Sequence, residues 1–146
     1  MLYSALEIAN KLLKMAQDLE GGELMSNLKL QKMLYYEQGY HVAKFGEPLF
    51  KENIEAWMYG PVVPEVYHHF SEFGASGLLP ESEEIVKLSE LEEKLFNEVF
   101  RAYSPYSAIG LMTKTHEEEP WRTTAVGTGN IISLEKLSNY FKTRLK

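Results

Sequence analysis

Apolar positions recur at helical spacing through most of the chain. Leu2, Ala5, Leu6, Ala9, Leu12, Leu13, Ala16 and Leu19 line one side of a predicted helix over 3–20, with Lys11, Lys14 and Asp18 opposite. Gly21-Gly22 stops it. A second helix is predicted from Ser26 or Asn27, both good N-caps, to Phe45, where Gly46 ends it. Its apolar residues fall almost all round: Leu28, Leu30, Met33, Leu34, Tyr35, Tyr36, Tyr40, Val42 and Phe45. Such a helix is contacted from several sides. Gly39 at its middle costs about 1 kcal/mol relative to Ala and calls for a close crossing by a neighbour.

After a turn-rich link over 46–53 the period changes. Ile54, Ala56 and Met58 alternate with Glu55, although Trp57 spoils strict alternation, so a short strand or extended segment is expected. Gly60-Pro61 breaks any helix there, and Pro64 opens a third helix over 64–73 that Gly74 ends. Residues 74–88 read as loop, with a short extended piece at 85–87. Ser89-Glu90-Leu91-Glu92 is a capping box, and Leu91, Leu95, Phe96, Val99 and Phe100 share one side of the helix behind it, up to Pro105. Ser107 caps a short helix through about His116, which Pro120-Trp121 ends. The 127–130 run is a loop, and Ser133 caps a last helix with Leu134, Leu137, Phe141 and Leu145 on one face. The expected fold is mainly α: a compact single-domain helical bundle over 1–146, with room for a short β-hairpin.

Composition narrows the function classes. With no Cys there is no disulfide scaffold, thiolate metal site or cysteine nucleophile, which fits a reducing cytoplasm. The N-terminus lacks the basic start and apolar run of a signal peptide, and no stretch approaches the roughly 20 apolar residues of a membrane span. A cytoplasmic protein without a membrane partner is expected. The net charge of -6, with scattered lysines, argues against nucleic acid. Lys142, Arg144 and Lys146 complement a helix C-terminus.

Candidate chemistry is sparse. Adjacent His68 and His69 point about 100° apart on a helix and lack the i, i+4 spacing of a shared metal. Only Glu65, four residues before His69, could make a Glu–His pair. His116-Glu117-Glu118-Glu119 lacks the second His of a zincin, since Pro120 stands there, so the acidic run reads as a solvated loop or helix end. Ser107 lacks the strand–turn–helix context of a nucleophile elbow and reads as an N-cap. Gly127-Thr128-Gly129-Asn130 has no Walker lysine. No metal, cofactor or catalytic residue is expected. The competing reading, a small metal-dependent hydrolase, would use His68, His69, His116 and nearby Glu residues.

Tyr35, Tyr36, Tyr40, Trp57 and Tyr59 form an aromatic concentration that fits either core packing or a binding patch. Gln31 and Gln38 lie on the same side of the second helix as Tyr35. Buried, their amides need internal partners; exposed, they could bond another protein.

Three blocks carry a family resemblance. They are Leu28-Lys29-Leu30-Gln31-Lys32-Met33-Leu34-Tyr35-Tyr36, Gly46-Glu47-Pro48-Leu49-Phe50, and Ala56-Trp57-Met58-Tyr59-Gly60-Pro61-Val62-Val63-Pro64-Glu65-Val66-Tyr67. Leu111-Met112-Thr113, His116, Pro120-Trp121, Gly129-Asn130-Ile131-Ile132 and Tyr140-Phe141 follow in order. The chain resembles the Panacea domain, long called phage-associated and typified by SocA-like antitoxins, over roughly residues 8–142. The block around Gly60-Pro61 is the most specific.

What the resemblance implies is an antitoxin rather than an enzyme: direct binding of a cognate toxin encoded nearby, in a toxin–antitoxin system. Some members act instead as adaptors that deliver the toxin to a Clp-type protease, which is the alternative here. Longer members carry N-terminal additions; this chain starts almost at the domain's first helix, so DNA binding is not expected. Gln31, Tyr35, Gln38, Trp57, Tyr59, Pro61, His116 and Trp121 are the expected partner-binding residues, with the Trp57–Pro64 turn the sharpest candidate. Self-association into a homo-oligomer stays open.

Overall fold

The computed structural model describes residues 2–19 and 21–145. In chain order it contains α1 (Ala5–Asp18), α2 (Asn27–Phe45), β1 (Ile54–Trp57), β2 (Gly60–Val62) and α3 (Pro64–His69). Then come a 3-10 turn (Ser71–Phe73), α4 (Glu90–Tyr103), α5 (Ala108–Glu117), α6 (Glu119–Arg122), β3 (Ile131–Ile132) and α7 (Leu134–Lys142). The fold is mainly α with a small antiparallel sheet, as the periodicity predicts. No helix among the described residues is long and apolar enough to cross a membrane.

Local signals place most boundaries. Ser4 and Ser89 close full capping boxes with Glu7 and Glu92, and Ser26, Ser107 and Ser133 each cap the following helix. Helix α1 starts two residues later than its apolar pattern, because the backbone of Tyr3 bonds the 49–51 segment instead: Tyr3 N–H donates to Leu49 O and Lys51 N–H to Tyr3 O, both at 3.1 Å. The expected end of this helix at residue 20 lies outside the described residues.

Three departures stand out. The third helix is shorter than predicted: α3 ends at His69 and a 3-10 turn carries the chain to Gly74. Pro120 does not only end a helix; it sits in the first turn of the short α6, where a missing N–H costs nothing. Ile131-Ile132, to which no element was assigned, forms β3 on the free edge of β1, so the order is β2-β1-β3.

Helix α2 is the axis of the molecule. Every residue from Leu30 to Gly39 is buried, with α1, α4, α5, α7 and β2 packed around it. Helix α7 comes so close that a Cβ at Gly39 would stand 2.3 Å from the Phe141 ring. This is the crossing that the mid-helix glycine demanded. Tyr35, Tyr36 and Tyr40 also meet Phe141, and Tyr36 stacks on Tyr103 with centroids 3.8 Å apart.

Inside this packing lies a carboxylate that the acidic run concealed. Glu118 is 7% exposed, and its two oxygens accept from the Tyr35 and Tyr36 hydroxyls, each at 3.0 Å. The expectation of a solvated run over 117–119 is therefore corrected at its middle residue. The N-cap position of α6 turns Glu118 inward while Glu117 and Glu119 face solvent. Burial pushes its carboxyl up to about 7, against the two hydroxyls and the nearby Lys114 and Arg144 charges that favour ionisation. Glu37 is buried as well, its Oε2 without a partner among the described residues, and burial raises its carboxyl well above the usual range.

Two outcomes follow from this packing. Gly39→Ala should lower stability by about 1–3 kcal/mol in chemical denaturation, because overpacking against Phe141 outweighs the gain in helix propensity. A neutral or stabilising result would mean that α7 shifts freely. Glu118 is favoured protonated in the fold, so its contribution is complete below the unfolded value near 4.5 and is lost as pH rises through about 7. Glu118→Gln should therefore gain on the wild type across that window, by up to about 3 kcal/mol, in urea titrations at stepped pH.

Candidate protein-binding face

The sharpest sequence candidate, the Trp57–Pro64 turn, is a β-hairpin held from behind by α2. Its register pairs Glu55 with Val62, Ala56 with Pro61 and Trp57 with Gly60. Gly60 has φ +114°, a conformation that disfavours side chains, and a Cβ there would stand 2.6 Å from Lys32 Cε. Lys32 is fully buried and donates to Pro61 O at 3.2 Å. Gln31 accepts from Val63 N–H at 2.9 Å and donates to Asn27 Oδ1, while Asn27 Nδ2 donates to Tyr67 O at 3.0 Å. Helix α3 has no side-chain N-cap of its own, so these α2 amides fix its entry.

The consequence is a rigid turn with large side chains outside. Met58 and Tyr59 at its tip are 67% and 61% exposed. Beside them the half-buried Trp57 ring meets Tyr67 edge-on at 5.2 Å, and His68 lies 6.0 Å from it. Trp57 Nε1 donates to Glu55 Oε1, which also accepts from Gly129 N–H. Trp121 Nε1 donates to Trp57 O at 2.8 Å, and His116 stacks on the Trp121 ring at 4.0 Å. Hairpin, α3, α5 and α6 thus present one aromatic face.

The expected site residues divide into two sets. Trp57, Tyr59, His116 and Trp121 come together at or near this surface. Gln31, Tyr35, Gln38 and Pro61 are buried. These four are engaged inside the fold by hydrogen bonds of their own. Gln38 donates to Phe50 O and accepts from Leu49 and Phe50 N–H, Gln31 holds Val63, Tyr35 holds Glu118, and Pro61 O accepts from Lys32. Gln31 and Pro61 thus belong to the platform behind the hairpin, while Gln38 holds the 49–50 link and Tyr35 holds Glu118. Met58, Tyr67 and His68 belong to the face without having been expected there; the only signal was their position inside or beside the Trp57–Tyr67 block.

His69 pairs with Glu81 at 2.6 Å rather than with Glu65, and His116 lies against Trp121 with Nε2 buried and without a partner among the described residues. Burial, then the neighbouring Lys32, lowers the His116 pKa. No group of three metal-binding side chains forms among the described residues.

Desolvation lowers Lys32 to about 7. Its depressed value means that the unfolded chain binds the extra proton, so stability rises with pH from about 7 to about 10.5. Lys32→Met should flatten that rise in urea titrations, while lost anchoring of Pro61 should speed amide exchange at Met58–Gly60. An unchanged pH profile would contradict a buried amine.

The sequence has known relatives. The family described as "Antitoxin SocA-like, Panacea domain" matches residues 30–122, from the middle of the first turns of α2 to the end of α6. Antitoxin SocA of Caulobacter vibrioides (strain NA1000 / CB15N) is 45% identical over 67 residues, 46% of this chain and 35% of that protein. The match thus spans about a third of the relative's length. No solved structure matches significantly. The matched region contains the whole hairpin, the α2 platform and the aromatic face, and the chain belongs to the SocA-like antitoxin family with a Panacea domain.

Proposed function

We propose that the protein neutralises a toxin by direct binding, with the aromatic face over Trp57–Tyr59 covering the toxin's active or target-binding surface. Family membership supports an antitoxin role in general. The observation that carries the choice of face is the Met58-Tyr59 tip, outward and exposed on a hairpin whose backbone is pinned from α2. A rigid turn loses little conformational freedom on binding, and Tyr, Trp and Met are enriched in interface cores. A stable complex would cover roughly 800 Å² on each partner, which is more than the hairpin tip alone offers. Tyr67, His68 and Trp121 extend the patch. The chain acts as one unit, without catalysis, on a toxin encoded beside it in a cytoplasmic toxin–antitoxin pair.

Co-expression with the product of the neighbouring gene tests this. The wild type should give a co-purifying complex and restore growth; neither result would remove the reading for that pair. The tip variant Met58→Ala/Tyr59→Ala should keep its thermal stability and weaken the complex by about 2 kcal/mol or more in calorimetry. Toxin half-life separates occlusion from delivery to a protease, since occlusion alone leaves turnover unchanged.

A further inference from the structure

A groove of about 770 Å³ opens where the later parts of α2 and α4 meet the end of α7. Its floor is apolar and aromatic, made by Tyr40, Leu95, Val99, Tyr103 and Leu145. Its rim carries Lys44, Lys94, Arg101 and Arg144 against a single carboxylate, Glu98. In a chain of net charge -6 this is a local reversal of sign. None of the four cations has a carboxylate in ion-pair contact among the described residues.

The floor also holds an unspent donor. The Tyr40 and Tyr103 hydroxyls lie 2.7 Å apart and share one hydrogen bond. That bond uses one of two phenol hydrogens, and the other has no protein acceptor among the described residues. Burial raises both phenols, so both keep their protons at neutral pH. An unpaired hydroxyl hydrogen is complementary to a carboxylate, as are the four cations that line the same groove, of which Arg144 acts on the Tyr40 phenol. The apolar floor is complementary to a side chain carried next to it.

We propose that this groove docks an acidic amphipathic segment of a partner protein, its carboxylates on the cationic rim and an apolar side chain on the Leu95–Val99–Tyr103 floor. A nucleic acid fits less well, because its dense phosphates would meet Glu98 and leave the apolar floor unfilled. The groove is distinct from the aromatic face. Lys32, behind the hairpin, and Lys44, on the rim, are a dozen residues apart on α2, roughly 18 Å along the helix. The two surfaces could therefore hold two segments of one partner or two different partners.

Fluorescence anisotropy of the full chain tests the proposal with a labelled short peptide of Glu and Leu at helical spacing on an Ala background. Wild type should bind it saturably, more weakly as salt rises, and more weakly when Gln replaces Glu. The exposed-residue variant Lys44→Glu/Lys94→Glu/Arg101→Glu should bind about tenfold more weakly or worse with its melting profile retained. Tyr40→Phe should lose several-fold from the hydroxyl. Met58→Ala/Tyr59→Ala should bind the peptide as wild type does, which separates this outcome from any failure of toxin binding. Absence of saturable binding, equal binding by the charge-reversal variant, loss of binding in the tip variant, or tighter binding of oligo(dT) would each overturn the proposal.

Discussion

The burial of α2 on every side is the constraint on which the rest of the structure depends. A helix so enclosed must satisfy its polar side chains internally, because unpaired groups there cost about 1–3 kcal/mol each. Gln31, Lys32 and Gln38 do this mainly by bonding backbone outside the helix, with one further bond from Gln31 to the Asn27 side chain. The partners they choose are Pro61 in the short strand β2, Val63 just after it, and Leu49 and Phe50 in the link before β1. Satisfying the helix and positioning the loops are therefore the same event. The aromatic hairpin is rigid because a central helix would otherwise contain unpaired amides and an amine.

A second layer of polar burial ties the C-terminal part of the chain to the same helix. Glu118 reaches Tyr35 and Tyr36, whose rings lean on Phe141 and Tyr103. The carboxyl and the phenols are all pushed toward their neutral forms by burial. Neutral groups linked by hydrogen bonds are cheaper to enclose than an ion, so the network joins α2, α4, α6 and α7 without a buried salt bridge. From it the phenol chain continues to Tyr40 and the cationic groove, while the hairpin lies toward the other end of α2. One helix thus organises two chemically different surfaces, one aromatic and one basic.

Much of this was legible in the residues. Serine caps, Gly46 and Pro64 located helix starts and stops because capping is decided within a turn of chain. Gly39 announced a close crossing, since a mid-helix glycine has few other reasons to exist. The Gly60-Pro61 block announced both the family and a constrained turn. What remained hidden depended on distant partners. Tyr35, Gln31 and Gln38 read equally well as core or contact, because an aromatic or amide side chain suits both. Glu118 looked solvated because its two phenol partners lie 82 and 83 residues away. β3 was invisible because two isoleucines after a glycine turn have no period to read.

The helical class, the position of most caps, the family and the constrained Gly60-Pro61 turn could all be read from the residues alone. These rest on short-range physics and on a local pattern specific enough to recognise. Which aromatic residues face solvent, which polar groups bond inside the fold, and where cations of α2, α4 and the segment after α7 converge were left to tertiary packing. Each of those depends on which side of α2 another element occupies, and a linear pattern that is apolar all round cannot say what packs on which side.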